Sequence, residues 1–178
     1  MSLKDLTWEH HKNAERQAFV KEMFGGNITN ERYAMYLWNQ FPQYDVLEAI
    51  AMSHGLLNDI PEVRRAPAIM EDFEELWTGD TPPMTLPVVN DYLKHLQSIS
   101  ADKDKVMAHL YVRHMGDLSG GQMIAKRVPG NGKYYQFEGE VDTIKEKIRT
   151  KLDDSMADEA KVCFDFATQL FKEMDTNK

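Results

Sequence analysis

The segment DKVMAHLYVRHMGDLSGGQMIAKRV, residues 104–128, is the longest stretch of helical periodicity in this sequence. Its apolar residues recur at the three- and four-residue spacing of a helix that buries one face, which predicts a helix over about residues 102–128. Gly120 and Gly121 lie in its interior, where each glycine costs about 1 kcal/mol relative to alanine. This pair therefore needs a reason, either close packing against another helix or a kink that serves a ligand.

The rest of the chain shows the same periodicity, and no run of four or more residues alternates cleanly between apolar and polar positions. We therefore predict an all-α fold and a single domain over residues 1–178. We expect the helix over residues 30–55 to bend or break near Phe41, because Pro42 lacks an amide donor and clashes with the preceding turn. The other helices are expected at residues 3–24, 61–77, 88–99, 141–154 and 157–175. Residues 61–77 form either one helix or two pieces interrupted by Pro67. Loops are expected at residues 78–87 and 129–140.

Composition and charge exclude several classes of protein. The 178 residues are 42% hydrophobic and 28% charged, which fits a globular chain and excludes collagen-like and wholly disordered ones. The net charge of −8 argues against nonspecific binding of nucleic acid. No apolar run reaches the roughly 18 residues of a membrane span, and the N-terminus lacks a signal-peptide core. The single cysteine, Cys163, fits a reducing compartment, so we expect a cytoplasmic protein without a membrane partner.

Three groups of polar residues could bind a ligand. On an uninterrupted helix, Asp117 shares a face with Gly120 and Gly121, so a carboxylate lies beside bare backbone that a large flat ligand could approach. Arg113 lies one turn earlier. Spacing alone leaves open the alternative that Arg113 and Asp117 form an ion pair on a helix that packs tightly through its glycines.

The first predicted helix carries the second group, Lys4, His11 and Glu15, within about 40° of one another around its axis. His11 can contact Glu15, and a neutral imidazole oriented by a carboxylate is the commonest axial ligand of haem iron. His10 is rotated about 100° away. The alternative is that this histidine binds nothing.

The third group is the pair Lys145 and Arg149. Like charges at this spacing disfavour a helix by a few tenths of a kcal/mol, which a dianionic ligand would offset. A solvated helix face that includes Glu146 is the alternative. The sequence contains no ExxH pair for a di-iron site, no GxSxG motif and no Walker A loop.

Several strings together resemble the haem oxygenase family. GDLSGGQ at residues 116–122 is the most specific of them, and YVRHMGDLSGGQ at 111–122 is similar to the family's distal helix. HKNAE at 11–15 is similar to its proximal HxxAE motif, and EAKVCFDFATQLFKEM at 159–174 to its last helix. The resemblance covers about residues 3–175. It implies a fold in which haem is held between the N-terminal proximal helix and a glycine-kinked distal helix.

The resemblance also implies roles for individual residues. His11 would be the proximal ligand of the iron, with Glu15 as its hydrogen-bond partner, whereas His10 would not ligate. Asp117 would hold ordered waters that deliver a proton on the distal side, with Arg113 bracing that network. The other implied residues are Tyr44 as a distal tyrosine, Gly116, Gly120 and Gly121 where the distal helix lies close to the macrocycle, and Lys4, Tyr111, Lys145 and Arg149 at the haem propionates.

The implied activity is cleavage of haem at the α-meso carbon with O2 and electrons, giving biliverdin IXα, CO and Fe2+. Haem, with its iron, would be both substrate and cofactor. The implied partners are ferredoxin or another reductase as electron donor, with ferredoxin preferred, and a bilin reductase downstream. A candidate basic docking patch comprises Lys12, Lys126, Arg127, Lys147 and Lys151.

Two other functions compete with this activity. A haem-sequestering protein would keep His11 and the propionate-binding residues, but binding alone needs no distal carboxylate. A helical enzyme acting on another aromatic substrate, such as a thiamine-degrading enzyme, would need a nucleophile, and Cys163 is not expected to lie near any of these motifs.

Overall fold

The computed structural model describes residues 2–178, and this part of the chain contains helices and loops without strands, as predicted. Short 3-10 turns at Pro61–Val63, Lys133–Tyr135 and Asp154–Met156 connect the helices. The α-helices are α1 Leu3–Leu6, α2 Trp8–Glu15, α3 Ala18–Gly25, α4 Asn30–Ser53, α5 Ala66–Leu76, α6 Pro87–Ile99, α7 Lys103–Leu118, α8 Gly121–Ile124, α9 Val141–Arg149 and α10 Ala157–Thr176.

The prediction of a single N-terminal helix over residues 3–24 is wrong, because the chain forms three helices there, α1, α2 and α3. At the first break the Thr7 hydroxyl donates to the carbonyl of Leu3 at 2.9 Å, a local bond that competes with helix geometry. At the second break Gln17 has extended backbone. These breaks make α2, the helix of His11, a separate element that packs against α10.

Of the bend or break expected near Phe41, the break is wrong, because α4 continues through Pro42 to Ser53. Side-chain amides support the backbone on both sides of the proline. Asn39 Nδ2 donates to the carbonyl of Met35 at 2.9 Å, and Gln43 Nε2 donates to the carbonyl of Asn39 at 2.7 Å. Packing of α4 against α5, α6 and α7 also holds this helix in place.

The other helix boundaries differ less from expectation. Residues 61–77 form two pieces, but Pro67 lies in the first turn of α5, where its missing amide is tolerated, and does not interrupt a helix. α9 ends at Arg149 instead of residue 154, and a 3-10 turn with its N-cap at Asp153 follows it. The loop after α8 contains the 3-10 turn with Tyr134 and Tyr135.

α10 supports both helices that carry the predicted site. It packs against α2 and also against α7, so the helix of His11 and the helix of Asp117 rest on the same element. Among residues 2–178, no helix combines the length and apolar content needed to cross a bilayer.

Candidate functional site

The continuous distal helix expected over residues 102–128 is interrupted. α7 ends at Leu118, Ser119 has non-helical backbone with φ −101° and ψ −92°, and α8 begins at Gly121. The two glycines therefore lie at a junction between helices and not in a helix interior. The single helical face predicted for Asp117, Gly120 and Gly121 does not exist, because the face requires unbroken helix geometry.

The glycines of this junction have different surroundings. A Cβ at Gly116 would have nothing within 4 Å, and one at Gly120 would meet only the Gly116 carbonyl oxygen, at 3.9 Å. A Cβ at Gly121 would lie 2.6 Å from Cδ1 of Tyr135. Gly116 and Gly120 thus have open space beside their backbone, whereas Gly121, predicted as a haem contact, is buried against Tyr135. Close packing therefore accounts for Gly121, and the approach of a ligand to Gly116 and Gly120 stays a prediction.

This difference leads to opposite stability predictions. We expect Gly121→Ala to destabilise the chain by about 1–3 kcal/mol, because the Tyr135 ring is buried and stacked on Tyr134 with centroids 4.2 Å apart. Gly116→Ala should stabilise it by about 0.5–1 kcal/mol, since this glycine is inside α7 with free space around it. Urea unfolding of the two ligand-free variants tests this, and equal effects would contradict the assignment.

Asp117 is buried, and the Tyr44 hydroxyl donates to its Oδ2 at 2.8 Å. Burial raises the pKa of Asp117 to about 7, because a carboxylate loses hydration there. Nearby His114 and the Tyr44 hydrogen bond favour the ionised form but offset burial only in part. The carboxyl group can therefore gain or lose a proton near neutral pH.

The raised pKa of Asp117 predicts a pH-dependent stability. Between the unfolded value of 3.8 and about 7, the folded chain holds a proton that the unfolded chain has released. The contribution of Asp117 to the free energy of unfolding is therefore largest below pH 3.8. It falls as the pH rises from 3.8 towards 7, and above pH 7 it no longer changes. We expect the difference in unfolding free energy between the wild type and Asp117→Asn to fall across this window in ligand-free protein. A difference that is constant with pH would contradict the raised pKa.

Arg113 does not form the ion pair with Asp117 that spacing allowed. Its guanidinium donates to Gln43 Oε1 at 2.7 Å and to the Tyr92 hydroxyl at 3.1 Å, with a longer bond to Gln40 Oε1 at 3.4 Å. Arg113 also lies over the ring of Tyr44, 5.4 Å from its centroid. It therefore contacts the hydrogen-bond partner of Asp117 and not Asp117 itself.

A buried polar cluster that the sequence did not indicate fixes α7 behind Asp117. His114 Nε2 lies 2.8 Å from Glu48 Oε2, and both side chains are buried. Glu48 also accepts from the backbone amides of Arg65 and Ala66 at 2.6 and 3.1 Å. The cluster ties α4, α7 and the start of α5 together. Residues 48, 65 and 114 are far apart in sequence, so the spacing of residues within one helix could not predict this cluster. Gln40 and Gln43, by contrast, could have been noticed as polar positions near Tyr44.

His11 lies on α2 with its Nε2 2.7 Å from Glu15 Oε1, so the structure shows the predicted contact. The ring stacks on Phe164 with centroids 5.4 Å apart, and its side chain is 37% exposed. His10 points elsewhere, with its Nε2 3.9 Å from Asp165. Because Nε2 makes the Glu15 contact, ligation through Nε2 requires the ring to turn so that Nδ1 faces Glu15.

The four residues predicted at an anionic ligand come from three elements that share one apolar cluster. Leu3 of α1, Tyr111 of α7 and Ile144 of α9 belong to this cluster. Arg149 is paired with Glu146 at 3.1 Å. Within residues 2–178, Lys4 and Lys145 have no ion-pair partner within 4.0 Å.

A family model described as "Heme oxygenase" matches residues 1–173 of the chain. The chain belongs to the haem oxygenase family. A curated haem oxygenase of Rhodella violacea is 26% identical over 206 residues, covering 99% of this chain and 87% of the relative. One from Pyropia yezoensis is 25% identical, with 98% and 85% covered.

Solved structures of haem oxygenases share the fold. The enzyme from Leptospira interrogans superposes with a TM-score of 0.85 at 28% identity, covering 97% of this chain and 100% of the other. Haem oxygenase-1 of the cyanobacterium Synechocystis, solved in complex with haem, also gives 0.85, at 22% identity, with 98% and 91% covered. At that identity the second comparison supports the fold alone.

In this haem oxygenase family member, Cys163 is nearer to the site motifs than the sequence suggested. Its Sγ lies 3.9 Å from the hydroxyl of Tyr92, which accepts a hydrogen bond from Arg113. The expectation that Cys163 lies away from every motif is therefore wrong, because α10 packs directly on α7. The thiol is fully buried, so it cannot reach an external substrate as a nucleophile.

The cations predicted as a docking patch make different contacts. Lys151 pairs with Asp59 at 2.8 Å, and Lys147 Nζ donates to the Asp59 carbonyl at 3.3 Å. Lys12 lies 3.4 Å from Glu15. Arg127 donates to the carbonyl of Phe24 at 3.4 Å, and Lys126 is exposed.

Proposed function

We propose that this chain binds haem between α2 and the α7–α8 junction and cleaves it at the α-meso carbon with O2 and electrons, giving biliverdin IXα, CO and Fe2+. Residues 1–178 would form one domain for this reaction. The observation that carries the proposal is the open backbone of Gly116 and Gly120 beside the buried carboxyl of Asp117. A family match over residues 1–173 supports the same activity.

On the proximal side we assign His11 as the ligand of the haem iron. Its ring is partly exposed and is supported by Phe164 and Glu15. A carboxylate that accepts from the second ring nitrogen orients a ligating imidazole and raises its basicity. With Nε2 turned to the metal, Glu15 would accept from Nδ1–H.

The haem carboxylates would be bound by residues of α1, α7 and α9. Lys4 and Lys145 offer ammonium groups without ion-pair partners among the described residues, and the half-buried Tyr111 packs on the apolar cluster that also contains Leu3 and Ile144. Arg149 would exchange its exposed contact with Glu146 for a carboxylate of the ligand. Such an exchange costs little, because exposed ion pairs are worth about 0–1 kcal/mol.

On the distal side, this chain would hold and move a proton at the carboxyl group of Asp117. Haem, when bound, supplies the iron that binds O2 and the porphyrin carbon that is oxidised. A pKa of about 7 lets Asp117 both accept and donate at neutral pH, as general acid–base groups require. Tyr44 orients its Oδ2, and the missing side chains at Gly116 and Gly120 allow the macrocycle to approach.

Electrons would come from ferredoxin, which docks on the basic residues Lys12, Lys126, Arg127, Lys147 and Lys151. Lys126 and Arg127 are the most informative of these, because Lys147 and Lys151 already contact Asp59. The lone buried cysteine fits a cytoplasmic location, which belongs to the same proposal.

We expect Lys126→Glu/Arg127→Glu to slow turnover with ferredoxin by about tenfold or more at low salt and to weaken its salt dependence, because steering by complementary charge is lost. Turnover with ascorbate, a small reductant that needs no docking surface, is the control and should not change. If the double variant keeps the wild-type rate and salt dependence with ferredoxin, the patch is wrong.

The decisive experiment is a titration of the purified chain with haemin, followed by a reductant. A sharp Soret band with a single equivalent of haemin is expected, and ascorbate or reduced ferredoxin should convert it to a bilin that absorbs in the red. Chromatography of the bilin against the four biliverdin IX isomers then tests the α-meso position. A stable haem complex that forms no bilin would overturn the proposed activity.

A further inference from the structure

Three side chains that bind metals well converge at a point where α6, α7 and α10 meet. His95 Nε2 lies 2.6 Å from Glu159 Oε1, and His109 Nε2 lies 3.0 Å from the same oxygen. One ligand atom from each residue lies within 4.8 Å of the others. None of the three belongs to the proposed haem site.

The donor set is that of a metal centre. Two imidazoles and one carboxylate are ligands of Zn2+ and of non-haem Fe(II) sites, which leave open positions for water. Bonds of about 2.0–2.2 Å place tetrahedral ligands roughly 3.3–3.5 Å apart. For an ion to enter, the 3.0 Å contact between His109 and Glu159 would open by about 0.3–0.5 Å and the 2.6 Å contact between His95 and Glu159 by about 0.7–0.9 Å. Rotation of the partly exposed His95 and Glu159 side chains can supply this change.

The surrounding residues fix the orientation of His109 and leave the cluster accessible to an ion from solvent. His109 is fully buried, and its Nδ1 makes a 2.7 Å hydrogen bond with the Tyr92 hydroxyl. Such a bond to the second ring nitrogen is the usual way to orient a ligating histidine. The side chains of His95 and Glu159 are 24% and 12% exposed, so an ion can reach the cluster from solvent. Phe166 packs against His95 and Tyr92 and shields the inner side.

We propose that His95, His109 and Glu159 form a binding site for a divalent first-row transition metal ion, with water completing the coordination. The ion takes the place of the direct contacts that now join the two imidazoles to the carboxylate. It links α6, α7 and α10, and its ligand His109 is hydrogen-bonded to Tyr92, which accepts a hydrogen bond from Arg113 of the distal network. The proposal does not depend on the activity proposed above.

The test is calorimetric titration of the full-length chain with Zn2+, together with absorption spectroscopy with Co2+. We expect a single equivalent of Zn2+ to bind and the Co2+ complex to show the intense visible bands of a four- or five-coordinate site. His95→Gln and Glu159→Gln each remove one ligand from a partly exposed position. Both should weaken Zn2+ binding by about 100-fold and abolish the Co2+ bands.

Two controls make the result specific. His11→Ala removes the partly exposed histidine–carboxylate pair of His11 and Glu15, which could also take up Zn2+, and it should leave the cluster's Zn2+ affinity and Co2+ bands unchanged. Thermal unfolding of each variant without metal checks the fold, and Zn2+ should raise the melting temperature of the wild type but not of His95→Gln. Wild-type affinity in His95→Gln or Glu159→Gln, or Co2+ that shows only the weak bands of the hexa-aqua ion, would overturn the proposal.

Discussion

Asp117→Ala is expected to retain haem but lose bilin formation, with a fall in rate on the order of 100-fold or more, the size expected when a general acid–base group is removed. The carboxyl group is buried, is held by Tyr44 at 2.8 Å and has a pKa of about 7, so its loss removes a group that can both accept and donate a proton at neutral pH. Single-turnover conversion of the haem complex with ascorbate, followed by absorption, measures the loss.

Two further variants show whether the proton or the shape of Asp117 matters. Asp117→Asn keeps the size and a hydrogen-bond acceptor for Tyr44 but cannot titrate, so its rate should be as low as that of Asp117→Ala. Tyr44→Phe removes only the orienting hydroxyl and should lower the rate less. A normal bilin yield from Asp117→Ala would refute the distal role of this residue.

His11→Ala removes the residue proposed to bind the haem iron and should have the second large effect. We expect the Soret band to shift and weaken and the haem affinity to fall by at least about tenfold, since the imidazole that would bind the iron is lost. Titration with haemin and resonance Raman detection of the iron–imidazole stretch measure the change. His10→Ala is the matched control, because its ring points towards Asp165, and it should bind haem as the wild type does.

Glu15→Gln separates ligation from orientation. It leaves His11 able to bind iron but replaces a carboxylate partner with a neutral one, which lowers the basicity of the ligand. We expect the Soret band to persist and the iron–imidazole stretch to move to lower frequency. An iron–imidazole stretch that survives in His11→Ala would show that another residue is the ligand.

The sequence was sufficient to predict the helical segments but not where several of them break or end. The 3.6-residue spacing of apolar residues indicates which helix faces are buried. This spacing continues across Thr7 and Ser119, although the helix itself is interrupted at both residues. The backbone leaves helical geometry at Thr7, with φ −107° and ψ 5°, where the hydroxyl donates to the Leu3 carbonyl. It leaves helical geometry again at Ser119. At Pro42 the helix continues although proline disfavours a helix interior, because side-chain amides and the packing of α4 keep this helix unbroken.

The sequence by itself determined the all-α class and the local pair of His11 and Glu15, because periodicity and i, i+4 spacing encode contacts within one helix. Its motifs, GDLSGGQ above all, indicated the family by resemblance. Only the tertiary structure decided that Arg113 bonds to Gln43 and Tyr92 instead of Asp117, that Gly121 packs on Tyr135, and that His95, His109 and Glu159 meet. These contacts join helices that are distant along the chain, and their partners are selected by how the helices pack, which spacing within a single segment does not record.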